Sequence, residues 1–313
     1  MKSLFSATFG VAVLMATAVA QPVWAIDVGV TWKGASGMTD RVMSGFKERM
    51  AAAAPDIDLD IRGPLEDKAA LQATVEEFDT TKDAMVVLRS NGSLLLAEHA
   101  TAIPTLIGGG NHPPSLGVLQ NMEAPEGNIT GVTYFIPHDV PLQSFMTILP
   151  DATSMLLIVQ TDHSGAPIEE AGTLKACESL GLHCDVAKVM TVDEMRDAIA
   201  AGVGTYSAFL LSNTRLVIDN GAVAVEAAGD TPVFTFTGKP VKEGVLAGYV
   251  ADDHKLGRML ADLLIQVVVD KTPIADIPVG TDDSPILYLN MTTAQRLGVE
   301  IPFQMLSTAT VIE

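Results

Sequence analysis

The sequence predicts an α/β protein built of two layers of parallel strands, each covered by helices. Short apolar runs rich in β-branched residues recur, and each is followed by a segment whose apolar residues fall at helical spacing. The alternation occurs in two series, separated by a Pro- and Gly-rich passage over residues 111–131. A chain of 313 residues exceeds the usual size of one compact core. It has room for two lobes of about 100–150 residues each.

An export signal precedes the first series. Lys2 opens a short basic region, residues 4–20 are apolar, and Val23-Trp24-Ala25 supply small residues three and one before a cut ahead of Ile26. The stretch lies at the extreme N-terminus and has no basic flank behind it, so residues 1–25 read as a cleavable signal rather than an anchor. No Cys stands at the cut, which argues against a lipoprotein. The mature chain is expected to be free in a periplasm or secreted.

Strands are predicted at residues 26–32, 57–62, 84–89 and 103–107. Between them, residues 38–54 place Val42, Met43, Phe46 and Met50 on one helical face and Arg41, Lys47, Glu48 and Arg49 elsewhere. Residues 65–78 repeat the pattern. In the second series the strands are 154–160, 185–190, 206–211 and 232–236, with helices at 166–180, 192–201 and 215–228. No residue-level repeat relates the two series, so they share architecture only. Asp252 or Asp253 then caps a long helix reaching about residue 269, with Leu256, Leu260, Leu263, Leu264 and Val267 on its apolar face. A strand at 286–289 and a short helix at 292–297, stopped by Gly298, complete the chain. If the long helix returns to the first lobe and the last strand joins the second, the chain crosses three times. The lobes are then residues 26–132 with 250–280, and 133–249 with 281–313.

Charge narrows the function. With 19 basic and 38 acidic residues the net charge is −19, a field that repels phosphate backbones and anionic lipid surfaces. Nucleic acid is therefore not expected as a partner. The only cysteines, Cys177 and Cys184, fall at a helix end and the next strand start. In an oxidising compartment they form either a disulfide across the intervening turn or two buried thiols.

Several segments match a known pattern. They are Gly45-Phe46-Lys47-Glu48-Arg49-Met50, Ile103-Pro104, Gly127-Asn128-Ile129-Thr130-Gly131, Leu256-Gly257-Arg258 and Ile277-Pro278-Val279. The tail adds Leu289-Asn290, Thr293-Ala294, Leu297-Gly298, Ile301-Pro302 and Val311-Ile312-Glu313. Together they resemble the ABC-transporter substrate-binding proteins of the tryptophan/tyrosine-binding type. The resemblance covers nearly the whole mature chain. It implies the type I periplasmic-binding fold, with two α/β lobes joined by three hinge strands. It also implies a monomer that closes on a small-molecule ligand, with an aromatic or other amino acid as the leading ligand, and delivers it to an ABC permease in the inner membrane. Two segments depart from the family pattern. Gly108-Gly109-Gly110-Asn111-His112-Pro113 stands in place of a Thr-Asp-Pro type turn, and Thr161-Asp162-His163-Ser164-Gly165 in place of an Asn-Pro turn.

Ligands of open α/β sheets gather at the carboxyl ends of strands, which points to the loops after each strand. Those loops are rich in Ser, Thr, Asn and Gly, suited to neutral hydrogen bonding and close backbone approach. Ser90, Asn91, Gly110, Asn111 and Asn213 are the candidates of this kind. The helix start at Ser90-Asn91-Gly92-Ser93 offers N–H groups to a carboxylate, or the Ser and Asn simply cap that helix. For an α-ammonium the candidates are Asp162, Asp252 and Asp253, the last two being more simply helix caps. Trp32, Tyr134, Phe236 and Tyr249 are placed to give a stacking surface.

Enzyme readings find less support. Ser44-Gly45-Phe46-Lys47 has Ser-x-x-Lys spacing, but Lys271-Thr272-Pro273 lacks the glycine of the companion motif, and no Gly-x-Ser-x-Gly or P-loop pattern occurs. His112, His163 and His254 lack metal-ligand spacing. Neither metal nor cofactor is expected. A periplasmic sensor module and a secreted α/β hydrolase remain as alternatives to transport.

Overall fold

The computed structural model describes residues 26–312. The export signal lies outside the described residues, as does Glu313. The first series forms β1 (Asp27–Lys33), α1 (Gly37–Ala53), β2 (Asp58–Leu65), α2 (Lys68–Thr81), β3 (Ala84–Leu88), α3 (Ser90–Glu98), β4 (Thr105–Gly110) and β5 (Ile129–Thr133). The second comprises α4 (Asp139–Ile148), β6 (Ser154–Gln160), α5 (Ala166–Leu180), β7 (His183–Val189), α6 (Val192–Gly202), β8 (Ala208–Leu211), α7 (Arg215–Asp219), α8 (Gly221–Ala228), β9 (Val233–Thr235) and β10 (Ala247–Val250). Then follow α9 (Asp253–Val268), β11 (Ile286–Asn290), α10 (Met291–Leu297), α11 (Phe303–Leu306) and β12 (Thr310–Ile312).

Two sheets result, and with them the two-lobed type I periplasmic-binding architecture. The first is all parallel in the order β2-β1-β3-β4-β5. The second runs β12-β11-β10-β9-β8-β6-β7 and is parallel except where β11 meets β10. Both are covered on both faces, which is why their central strands read as continuous apolar runs. On one side of the first sheet, Val28 and Val30 pack under Phe46 of α1 and Leu260 and Leu264 of α9. On the other, Met85 and Val87 meet Leu71, Phe78 and Leu95. The second sheet is sandwiched likewise, with Phe145, Leu157 and Phe234 on one side and Ile158, Ile199 and Phe209 on the other.

Helix α9 joins the first lobe by packing on α1, and glycines set the closeness of that contact. A methyl group at Gly257 would collide with the Val42 carbonyl, and one at Gly45 with the His254 carbonyl. The chain therefore leaves the first sheet after Thr133, returns after Val250 and leaves again after Gly280. The crossings are tied together. Thr133 N–H donates to the Gly280 carbonyl at 2.9 Å, and Gly280 N–H to that of Gly131 at 2.8 Å. The buried Asp282 carboxylate accepts from Asp252 N–H at 2.7 Å and from Lys255 Nζ at 2.7 Å.

Several predicted elements shift. The helix expected at 65–78 is Lys68–Thr81, because Leu65 ends β2 and Asp67 caps the helix by accepting from Ala70 N–H at 2.8 Å. The strand expected to stop at residue 107 continues through Gly110. A side chain at Gly108 would strike Leu260 and Leu88, so the glycine run lets α9 press onto a central strand rather than marking a loop. The Gly- and Pro-rich boundary at 111–131 ends inside β5, which belongs to the first sheet. The helix expected at 215–228 is two, broken at Asn220. Helix α4 and the short strands β10 and β12 had no strong periodicity to announce them.

Cys177 and Cys184 form a disulfide, with their Cα atoms 6.1 Å apart. It pins the end of α5 to β7.

Two outcomes test this packing. Gly257→Val should lower unfolding free energy in urea by about 2–3 kcal/mol, since carbonyl and helix backbone must move apart. Replacing both cysteines by alanine should cost about 2.5 kcal/mol, the loop-closure value for so short a loop. Reductant should then shift the urea midpoint of the unsubstituted protein and leave that of the double variant where it is.

Candidate functional site

Each sheet has one place where the strand order reverses direction, between β1 and β3 in the first and between β6 and β8 in the second. Loops leaving neighbouring strands there diverge to opposite faces and open a crevice. The two crevices face one cleft of about 870 Å³, within the range of small-molecule sites. From the first lobe it is lined by Lys33, Ser36 and Arg41 after β1, Arg89, Ser90 and Asn91 after β3, and Gly109 and Asn111 on and after β4. From the second come Asp162, His163 and Glu169 after β6, Asn213 and Arg215 after β8, and Phe236 and Lys239 after β9. The crossovers add Tyr134, Phe135, Ile136, His138 and Tyr249.

On the first-lobe wall Arg89 stands out. Its backbone has φ +73° at the start of α3, a left-handed conformation that costs a non-glycine residue about 1 kcal/mol or more. Its Nη1 donates to the carbonyls of Lys33 at 2.6 Å and Gly34 at 2.8 Å, which fixes the β1–α1 loop. Burial pushes its pKa down from the usual arginine value, and the nearby positive charge of Arg215 acts in the same direction. It remains a cation. Among the described residues no carboxylate pairs with Arg89 or with Lys33.

On the opposite wall the charge is reversed. Glu169 on α5 is 3 % exposed, and its contacts are long: Asn111 Nδ2 at 3.4 Å, Asn213 N–H at 3.3 Å and His138 Nε2 at 3.5 Å. A buried carboxylate so loosely satisfied retains capacity for a strong donor. Between the walls run aromatic rings. Phe135 lies 5.7 Å from His138, which meets Phe236 edge-on at 4.9 Å. Burial raises the pKa of Tyr134 and of Tyr249, so both phenols stay protonated. His163 is depressed by burial, and its Nδ1 accepts from Gly165 N–H at 3.1 Å.

Of the residues singled out from the sequence, Ser90, Asn91, Asn111, Tyr134, Asp162, Asn213 and Phe236 line this cleft, and three do not. Trp32, 6 % exposed, points into the core beneath α1 and packs on Gly63, where a Cβ would overlap its ring. Gly110 is a buried strand residue behind the start of α3. Asp252 is spent as a cap, accepting from His254 N–H and Lys255 N–H at 3.0 Å each, while its neighbour Asp253 reaches the cleft and pairs with Arg41 at 2.7 Å. Besides the expected Ser and Asn side chains and Asp162, the lining carries Lys33, Arg41, Arg89, Glu169, Arg215 and Lys239, which were not among the candidates.

A family model described as ABC transporter substrate binding protein matches residues 27–312. The chain belongs to that family. A curated relative, the tyrosine-binding protein of Clostridioides difficile strain R20291, is 22% identical over 281 residues, covering 88% of this chain and 81% of the relative. Among solved structures, a ligand-free, open substrate-binding protein with adhesive properties from Clostridium difficile aligns with TM-score 0.80 and 20% identity, over 92% of this chain and 99% of that one. An ABC domain in complex with L-Trp from Streptococcus pneumonia aligns with TM-score 0.76 and 18% identity, over 92% and 100%. At these identities the structural likeness establishes the fold.

A substrate-binding protein needs a cleft rather than a nucleophile, and Ser44 and Lys47 fit that. Both are exposed on α1 and neither lines the cleft. His112, His163 and His254 sit in separate local contacts, with Ser115, Gly165 and Glu48 respectively. No cluster of three or more metal-ligating side chains occurs among the described residues.

Trp32→Ala should destabilise this substrate-binding protein by about 3–5 kcal/mol, as for a buried core aromatic. Ligand affinity of the folded fraction, measured by calorimetry below the shifted midpoint, should stay within about twofold of the unsubstituted protein.

Proposed function

We propose that this protein is the solute-binding component of an ABC importer, exported by its N-terminal signal to the periplasm. It captures an amino acid, with an aromatic side chain as the leading case, by closing its lobes. The carrying observation is the distribution of unpaired charge around the aromatic wall. Arg89 and the first turn of α3, on one lobe, suit an α-carboxylate. Glu169, on the other, suits an α-ammonium. Phe135, His138 and Phe236 lie between them and suit a ring.

Such a ligand touches both lobes only when they are together, so binding shifts the population toward the closed form. The lobes in this reading are residues 26–132 with 250–280 and 133–249 with 281–313, hinged at the three tied crossings. The L-Trp complex of the streptococcal relative and the name of the clostridial one support the ligand class. No described helix is long and apolar enough to cross a membrane. In this reading the ligand is delivered to an ABC permease in the inner membrane.

A thermal-shift screen against amino acids, small carboxylates, sugars and nucleosides tests the reading. A true ligand at a hundredfold excess over its Kd should add about 2.7 kcal/mol to stability, which moves the midpoint by degrees. Tryptophan or tyrosine is expected to score. A sugar or nucleoside scoring alone would retain the fold and overturn the ligand class.

A further inference from the structure

The cleft holds more positive charge than one carboxylate needs, in a chain whose net charge is −19. Arg41 is neutralised by Asp253 at 2.7 Å, and Lys239 by Asp219 at 2.7 Å. Arg215 is not held in this way. It opens α7 at the carboxyl end of β8, and its side chain is 85% exposed. It reaches Asp219 only at 3.6 Å, where Lys239 already occupies the carboxylate. Arg89 faces the same cavity from the carboxyl end of β3 in the other lobe and has no acidic partner among the described residues.

We propose that the ligand's anionic group is bridged between Arg89 of the first lobe and Arg215 of the second, so that the carboxylate itself draws the lobes together. This rests on the carboxylate-bearing ligand proposed above and adds the residue that couples it to closure. Without an anion two guanidinium groups approach across a shrinking gap, and their repulsion opposes closure. A carboxylate has two oxygens and accepts from two guanidinium forks at once, so it turns the same pair into an attractive contact. Arg89 is already anchored through the Lys33 and Gly34 carbonyls, and it would receive the ligand in the open state. Arg215, exposed and loosely held, would engage last. Arg215 is thus a specificity residue for charge. Ligands lacking an anionic group would still meet Glu169 and the aromatic rings, but would leave Arg89 and Arg215 facing one another unbridged.

Three indole compounds separate the contributions: L-tryptophan, indole-3-propionate, which lacks the ammonium, and tryptamine, which lacks the carboxylate. Affinity is read by calorimetry and closure by the radius of gyration from small-angle scattering. Tryptophan and indole-3-propionate should bind and compact the protein, and tryptamine should bind more weakly than tryptophan and leave it uncompacted. Arg215→Ala, at an exposed position that leaves the fold intact, should weaken tryptophan by about tenfold or more and abolish compaction. Arg215→Lys should restore part of both. Unchanged affinity and compaction in Arg215→Ala, or compaction by tryptamine equal to that by tryptophan, would overturn the bridge. If no indole compound binds but another anion does, and Arg215→Ala weakens it, the bridge stands and the aromatic amino-acid reading fails. An uncharged solute that closes the lobes removes the bridge while leaving transport intact.

Discussion

Everything about the cleft depends on one contact, the close packing of α9 on α1 through Gly45 and Gly257. A helix made late in the chain belongs to the first lobe, so the chain must cross between lobes three times instead of once. Three adjacent crossings restrain twisting and sliding in a way a single linker does not. Their side-by-side bonding through Gly280 and Asp282 keeps them in register. The same constraint turns the carboxyl ends of both parallel sheets toward one another. Two switch-point crevices become one cleft.

That cleft is electrostatically unlike the molecule that carries it. An acidic protein places two cations without acidic partners among the described residues, Lys33 and Arg89, on one wall and a buried acid, Glu169, on the other. Each is costly alone, because a desolvated charge with weak partners loses hydration without recovering it. Arg89 adds a left-handed backbone, and Glu169 accepts only bonds of 3.3 Å or longer. Stability alone would favour neutral residues at both positions. Opposed charges on opposed lobes gain their full value when a dipolar molecule sits between them and water is excluded.

The architecture was legible because parallel strands and their covering helices must be apolar at regular spacing. Strand 154–160 and helix 166–180 are recovered to the residue. The site was legible in its loops and less so in its chemistry. Glu169 and Glu170 are consecutive acids in the predicted helix 166–180, and neither is among the site candidates. Only the fold turns the first into the cleft and the second toward Lys188 at 2.9 Å. Arg89 read as the last residue of a strand, since nothing in a sequence marks a positive φ at a residue other than glycine. Trp32 misled for the converse reason. Alternation along β1 sends its ring to the core, and Gly63 on the neighbouring strand β2 makes room for it.

The two segments that depart from the family pattern are neighbours in space. Asn111, from the glycine-rich stretch after β4, reaches across to Glu169 on the second lobe. The other segment ends at Gly165, where a methyl group would sit 3.2 Å from His163 Nδ1 and 3.5 Å from Asn111 Nδ2. Glycine at 165 therefore gives room to side chains arriving from both replaced turns, so the two changes form one structural unit. Restoring a family-like turn on one lobe alone would leave Glu169 short of a partner or crowd Asn111. The cleft wall is thus built at this point by a matched pair of segments, one on each lobe, and changing one alone would disturb the contacts of the other.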